Sequence, residues 1–477
     1  ALAFRPGGGY AAVWLDLNRV HAALFDSHGA RRGPELLAGG TEDPAFAPRV
    51  AVSSSGSTAV GWLEGGEVRV LLLDPAGSLL GIRDLGGPAE EPPLGLGFDQ
   101  GGPEVFDLLA HPDGGFLAVW TFLRTHLARI SETGEVERID PPADRPLIGS
   151  SFRAAVHPDG RLWWVEHIDL PTSPPSSVLK VFRARLEGPD AFVPEQVYMD
   201  GAIDHRNVDI AIDAQGEVAV AWNETEGIFL QRFDPFGGEL GESRTVDEVD
   251  FDAEPPEGVY DVALATDAEG NAAVVWGRFT FLEGTGIPRA SRLMLRSYAA
   301  DGTPLGPARE GASRDGERLL SPEVAVSGPG EAIVAWWLEV VLPILPPDCS
   351  TSPAIFARTL PLGGSGALLL GDGRFRVQVA WQDPRSGGSG IGRGIQDTRD
   401  SGSFWFFDPA NTELRVKVLD AQTVNGHFWF FYGALSNVGY QITVTDQRTG
   451  RTRTYDNPPG RLGSFADTLA FPGESSP

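Results

Sequence analysis

The chain is almost free of sulfur and of lysine. Of its 477 residues one is cysteine, Cys349, and two are methionine. A single thiol excludes any disulfide within the chain, so no covalent staple can hold the fold. It sits in the Pro-rich segment PILPPDCSTSP and has no base beside it in sequence that would mark a nucleophile. Lys180 and Lys417 are the only lysines, so basic character rests on arginine. Positive charge is scarce overall: 38 Lys and Arg stand against 65 Asp and Glu, a net charge of −27. Such a surface repels phosphate backbones and anionic headgroups, so nucleic acid is not an expected partner. No apolar run reaches the roughly 18 residues that a membrane helix needs, so membrane insertion is not expected. Helical periodicity is missing over any useful length, which leaves an all-β chain.

Glycine and proline, by contrast, are plentiful at 60 and 38 residues, as many short strands joined by tight turns require. One phrase recurs seven times: a turn closing on glycine, then an apolar run ending on tryptophan. The copies are Gly7–Trp14, Gly56–Trp62, Gly114–Trp120, Gly160–Trp164, Gly216–Trp222, Gly270–Trp276 and Gly330–Trp336. Successive tryptophans stand 48, 58, 44, 58, 54 and 60 residues apart, a period suited to a four-stranded propeller blade with variable loops.

Each unit reads alike. An alternating strand such as Val208–Ile212 leads into a turn such as Asp213–Gly216. An apolar strand such as Val218–Trp222 follows, and its continuous apolarity predicts burial on both faces. An amphipathic third strand (Ile228–Phe233) and a more polar fourth complete the unit. The expected fold is a seven-bladed β-propeller over residues 1–366, with repeats starting near 1, 49, 104, 152, 207, 259 and 321. Units of the form Val-Ala-Trp … Arg-Phe-Asp-x-x-Gly-x-x-x-Gly, as at 220–241, resemble those of secreted bacterial repeat proteins read as propellers. The seventh unit is weak in its fourth strand, and Ala367–Leu370 either fills that place or leaves it short.

From about Ala367 the rhythm changes. Strands are predicted at Arg374–Trp381, Phe404–Phe407, Glu413–Leu419, Phe428–Tyr432, Gln441–Thr445 and Thr452–Tyr455, with a Gly/Ser-rich loop over 383–403. A C-terminal β-sandwich over 367–477 is expected. The segments GDGRFRVQVAWQD, SGSFWFFDPANTELRVKVLD, NGHFWFFYGALSNVGYQITVTD and RTRTYDNPPGRLGSFADT resemble a C-terminal domain recurring in secreted proteins of Acidobacteria-like organisms. That resemblance implies export and display. The expected location is therefore extracellular or at the cell surface, with a signal peptide already removed ahead of Ala1.

Catalytic motifs are sparse. The eight histidines make no HExxH or other metal spacing, and no nucleophile elbow, P-loop or kinase signature occurs. The Asp-x-x-Gly … Trp turns do not complete a sialidase Asp-box. No catalytic or cofactor-binding residue is assigned. Asp247, Asp250, Asp252 and Glu254 are the Ca²⁺ candidates, as clustered hard oxygen ligands, and Ca²⁺ is the one cofactor left open. Asp16, Glu64, Glu166, Glu224 and Glu339, just beyond the tryptophans, are expected at solvent-facing strand ends or facing one end of the central channel. Trp405, Phe407, Trp429 and Phe431 are interaction candidates as aromatic platforms, and so are Ala1, Leu2, Ala3 and Phe4 at the seam. The expected function is a non-enzymatic extracellular structural or interaction protein. A self-assembling surface or filament subunit, joined by strand addition at the seventh unit or the C-terminal domain, is its specific form. The expected partners are other copies or surface proteins. The alternative is a secreted glycan-binding or glycan-processing propeller.

Overall fold

In the computed structural model the chain is an all-β, propeller-like array of antiparallel sheets. The structure describes residues 1–6, 8–16, 18–26, 30–40, 45–86, 105–122, 124–141, 152–170, 176–188, 191–201, 207–250, 253, 257–281, 288–315, 317–326, 331–340, 354–361, 367–371, 373–383, 385, 387–407 and 411–473. Cys349, Asp252 and Glu254 lie outside these residues.

Six four-stranded sheets and one three-stranded sheet follow one another along the first part of the chain, each a simple meander. Their innermost strands are Leu2–Phe4, Ala45–Val52, Val105–Ala110, Phe152–Val156, Val208–Ile212, Glu257–Thr266 and Glu317–Val326. Each meets the next in order, and Glu317–Val326 returns to Leu2–Phe4. Outer strands such as Leu79–Asp84 are largely exposed, as the polar fourth strand predicts.

The recurring glycine closes each turn in the left-handed region. Gly56, Gly114, Gly160, Gly216 and Gly270 have φ of 92, 96, 83, 84 and 85°. The apolar run behind each turn is buried on both faces: every residue of Thr58–Glu64 is buried. Trp62, Trp120, Trp164, Trp222, Trp276 and Trp336 fill the space between sheets. Most stack on the aromatic residue directly opposite on the third strand. The pairs are Trp14 with His21, Trp120 with His126, Trp164 with Phe182, Trp222 with Phe229 and Trp336 with Phe356.

Six separate apolar cores lie between consecutive sheets, from first with second to sixth with seventh. The seventh sheet contains Glu317–Val326, Glu331–Val340 and Ala354–Pro361. Leu368–Leu370 does not complete it; that strand pairs with Phe375–Val377 in the C-terminal unit. Leu2–Phe4 pairs with Tyr10–Ala12, and the Ala1 nitrogen donates to Val13 O at 2.9 Å. Ala1 and Ala3 also pack on the core of the first two sheets. The four seam candidates are thus part of the first sheet.

The C-terminal unit has two five-stranded antiparallel sheets around one core of residues such as Phe375, Val379, Phe404, Val416, Phe430, Ile442 and Phe471. The 383–403 stretch expected as a loop holds two strands, Ser389–Ile391 and Arg393–Thr398. Its glycines serve close packing. A Cβ on Gly390 would meet Trp381 at 2.9 Å, and one on Gly394 would meet Leu368 at 2.7 Å. Ile395 abuts Gly306, which seats this unit against the turn after the third strand of the sixth sheet.

Candidate functional site

Charged residues recur at one place on the innermost strands, four residues before the residue that opens the glycine turn. There stand Arg49, Asp107, Arg153, Asp209 and Glu323, in the second, third, fourth, fifth and seventh sheets. In the sixth sheet that place is Ala263, and an acid stands two residues earlier, at Asp261, in a bulge between Tyr260 and Val262 with φ of 41°. Ala1 holds the place in the first sheet. Arg153 interacts electrostatically with Asp107, Asp209, Glu323 and Asp261, which belong to four different sheets. One side chain can face four sheets only across a shared central space, so these residues line the channel.

Three carboxylates tie their sheet to the next. Asp107 accepts the Leu108 N–H at 3.1 Å and the Ala154 N–H of the fourth sheet at 3.2 Å. Asp209 accepts Ile210 N–H at 2.9 Å and Leu264 N–H of the sixth sheet at 2.7 Å. Asp261 accepts Ser321 N–H of the seventh sheet at 2.9 Å and the Asn207 side-chain amide of the fifth at 3.0 Å. Apart from the Asn207 amide, each donor is a backbone N–H that faces away from its sheet neighbour and is satisfied by the carboxylate.

The cations are less well served. Arg49 reaches Asp107 only at 3.6 Å and donates to Pro48 O at 3.2 Å. Arg153 donates to Phe152 O at 3.4 Å and makes no ion pair among the described residues. The Arg49 and Asp107 side chains are 19% and 10% exposed, so solvent still reaches the channel. Burial pushes the Asp209 carboxyl up to about 7, against the pull of Arg153 and the two backbone N–H groups. Burial likewise raises Asp261, and burial together with Arg153 lowers Arg49. Burial opposes the Arg153 charge too, but the surrounding carboxylates outweigh it and raise that pKa. The Ala1 amino group is lowered by burial, with Glu323 acting the other way.

The acids beyond the tryptophans do other work. Glu64 accepts the Trp62 indole N–H at 2.7 Å, Glu166 that of Trp164 at 2.8 Å and Glu224 that of Trp222 at 2.8 Å. Residues two apart on a strand share a face, so each carboxylate lies beside its tryptophan between sheets. The expectation that these three face the channel or stand as solvated strand ends is therefore corrected. The Glu339 side chain lies outside the described residues. In the sixth sheet the second residue after Trp276 is Arg278, and the carboxylate comes from Asp247 on the neighbouring sheet. Asp247 accepts the Trp276 N–H at 2.8 Å and pairs with Arg278 at 2.9 Å. Asp247 is thus engaged in packing, which corrects its placing as a Ca²⁺ ligand. Asp250 is exposed, and among the described residues no three His, Cys, Asp or Glu are grouped to hold a metal.

Of the aromatic candidates, Trp405 is buried, which removes it as a platform. Phe407 is half exposed and packs edge-on against Trp381. Trp429 and Phe431 are partly buried side by side on one face, and the Trp429 indole donates to Asn425 at 2.9 Å.

No protein-family model matches this chain, and no characterised protein matches it by sequence. Solved structures show a weak likeness to it. An oligogalacturonate lyase in complex with manganese is 12% identical with a TM-score of 0.41, over 95% of this chain and 97% of the lyase. A protein of unknown function from Dyadobacter fermentans DSM 18053 is 10% identical with a TM-score of 0.41, over 76% of this chain and 93% of the other. A prolyl endopeptidase is 10% identical with a TM-score of 0.39, over 82% of this chain. This chain spans about half the length of that endopeptidase, 54% of it being covered. Likeness at this level transfers no residue or activity. It does correct one expectation. A propeller without catalytic motifs is expected to be a non-enzymatic structural or filament protein. The similar solved structures include a prolyl endopeptidase and an oligogalacturonate lyase, both enzymes, which stands against that expectation.

Proposed function

We propose that this chain is a secreted seven-bladed β-propeller over residues 1–366 with a C-terminal β-sandwich over 367–477, and that it binds a small polar ligand in the central channel. The site is the ring of Arg49, Asp107, Arg153, Asp209, Asp261 and Glu323. The single observation that carries this reading is Arg153. Its guanidinium has five N–H donors, one hydrogen bond at 3.4 Å among the described residues, and the charges of four carboxylates around it. Water or a ligand completes such donors. Convergent charged groups with displaced pKa values in a concave site favour a ligand over bulk water. The resemblance of 371–471 to a domain of secreted proteins supports the extracellular placement.

Thermal melting of the intact chain against a panel of small anions, cations and zwitterions tests the reading. A ligand at about 100 times its Kd adds about 2.7 kcal/mol of stability. At least one compound is expected to raise the melting temperature of the wild type and to lose that effect in Arg153→Met. No response across the panel, or an equal response in the variant, refutes a channel site.

A further inference from the structure

We propose that a cleft at the turn end of the third sheet binds a basic peptide, whose main-chain carbonyl oxygens accept from the side chains of His111 and Arg129. The cleft is separate from the channel ring, and the proposal does not rest on the channel reading. Its volume is about 420 Å³, within the range of ligand pockets. His111, Asp113, Arg129, Ser131, Glu135 and Glu137 line it.

His111 opens the glycine turn of the third sheet as His157 opens that of the fourth. In both, Nδ1 accepts the N–H two residues on, from Asp113 at 3.3 Å and from Asp159 at 3.2 Å. That bond leaves the proton of the neutral ring on Nε2. Burial, helped by the Arg129 charge, lowers the His111 pKa and keeps the ring neutral at pH 7. His157 spends its Nε2 proton on Gly216 O of the fifth sheet, at 3.1 Å. His111 is 7% exposed, yet its buried Nε2 has no partner among the described residues. The fourth sheet leaves the matching place open: a Cβ on Gly160 would meet nothing within 4 Å.

Arg129 repeats the contrast. It stands opposite Leu117, the second residue of its apolar strand, as Arg232 stands opposite Ala219 in the fifth sheet. Arg232 donates to the carbonyls of Gly270 and Ala299 in the sixth sheet, at 3.0 and 3.4 Å. Arg129 reaches no carbonyl among the described residues. It pairs with Glu187, just beyond the third strand of the fourth sheet (Ser176–Ala184), and its buried Nε is unfilled. Two donors whose counterparts end on main-chain carbonyls thus line a cleft instead, and an occupant supplies the missing acceptors.

The walls set the charge of that occupant. Glu187 already answers the charge of Arg129. Asp113, Glu135 and Glu137 are exposed and pair with no Arg or Lys among the described residues. They repel an anion, and a net charge of −27 draws cations to the surface. A saccharide brings acceptors but no charge for these carboxylates. A peptide carrying Lys or Arg brings both.

Calorimetric titration of the intact chain at fixed ionic strength tests this. The probes are the capped tripeptides acetyl-Lys-Gly-Lys-amide and acetyl-Arg-Gly-Arg-amide. The controls are acetyl-Glu-Gly-Glu-amide, maltotriose and spermidine, the last carrying positive charge without a carbonyl. One basic peptide is expected to bind at least about tenfold more tightly than any control, a difference of about 1.4 kcal/mol. His111→Asn keeps an acceptor for the Asp113 N–H, as Asp213 and Asp267 do at the same place in their turns, but withdraws the Nε2 donor. It is expected to weaken the peptide at least about tenfold. His157→Asn makes the same change where the donor is already spent, and is expected to leave peptide affinity as in the wild type. Glu135→Gln combined with Glu137→Gln is expected to weaken the basic peptide and to narrow its advantage over the acidic one. If spermidine matches the peptides, or His111→Asn binds them as the wild type does, the acidic rim alone attracts cations and the proposal falls. It falls equally if maltotriose or the acidic peptide binds most tightly, or if neither basic peptide binds.

Discussion

Leu264 donates its backbone N–H to the Asp209 carboxylate at 2.7 Å, a bond that joins the sixth sheet to the fifth inside the channel. Asp209 also accepts Ile210 N–H and faces Arg153 and Glu323. Its pKa stands near 7, above the roughly 3.9 of an unfolded aspartate. The folded state therefore binds more protons than the unfolded state between those values. The stability this group contributes is full below about pH 4 and is lost as pH rises toward 7. Asparagine cannot accept both N–H groups, so Asp209→Asn is destabilising in acid. Its penalty relative to wild type is expected to shrink as pH rises from 4 to 7, by at most about 1.4 kcal/mol per unit. Urea melts of both proteins at pH 4, 5, 6 and 7 check this; a penalty that grows with pH contradicts it.

Gly160 and Gly216 share a conformation, with φ of 83 and 84°, but not a neighbourhood. A Cβ at Gly160 would meet nothing within 4 Å, whereas one at Gly216 would lie 2.4 Å from His157 Nε2. His157 belongs to the turn of the fourth sheet and is hydrogen-bonded to Gly216 O at 3.1 Å. Gly160→Ala is expected to cost about 1–2 kcal/mol from backbone strain alone. Gly216→Ala carries the same strain and also displaces the histidine, so it is expected to cost more. A double-mutant cycle with His157→Ala separates the two contributions. Coupling at Gly216 and none at Gly160 is the expected result.

Glu64 serves three partners: the Trp62 indole at 2.7 Å, Gly40 N–H at 3.0 Å and Arg69 at 3.3 Å. Its side chain is 2% exposed. Glu64→Ala orphans two confined donors and a guanidinium contact, and is expected to cost about 3 kcal/mol or more. Glu224, partly exposed, holds the indole of Trp222 in the same way. Glu224→Ala is expected to cost about 1–2 kcal/mol. Denaturant melts of the two variants check the order.

The tryptophan phrase was legible because turn chemistry and a doubly buried strand each leave a strong local mark. Gly216 must take positive φ, and Val218–Trp222 has no wet face. The channel ring was less visible, although its signal was present. Arg49, Asp107, Arg153, Asp209 and Glu323 appear when the copies are aligned on their turn openers and read four residues back. Read singly, each passes for the solvated face of an alternating strand. The sixth copy carries Ala263 at that place, with its acid two residues earlier at Asp261. The Trp-to-Glu clamps were misplaced for a simpler reason. Period-two alternation puts Glu64 on the face of Trp62, away from the channel. Gly390 and Gly394 misled in the opposite direction, since glycine needed for close packing looks like glycine in a loose loop.

The C-terminal unit contains a pair whose acid response runs opposite to that of Asp209. Arg374 and Asp446 are hydrogen-bonded at 3.0 and 3.2 Å, with side chains 8% and 1% exposed. The guanidinium also lies over Phe428 and Phe375, 4.2 and 5.4 Å from their ring centres. Burial works to raise the Asp446 pKa, but the Arg374 bond, the Arg448 N–H and the Arg374 charge more than offset it, and the pKa is lowered. A depressed carboxylate contributes stability that is present above its unfolded pKa of about 3.9 and lost as pH falls below it. Removing the acid alone leaves Arg374 buried against aromatic faces with its charge uncompensated. Asp446→Ala is therefore expected to cost about 3–5 kcal/mol, with most of that penalty gone once the wild-type carboxylate is protonated too. Arg374→Met with Asp446→Leu removes both charges and is expected to recover most of the loss at neutral pH. Melts of the single and double variants at pH 7 and pH 2 decide the matter. A single-variant penalty that persists unchanged at pH 2 contradicts the assignment of this pair as a charge-dependent anchor.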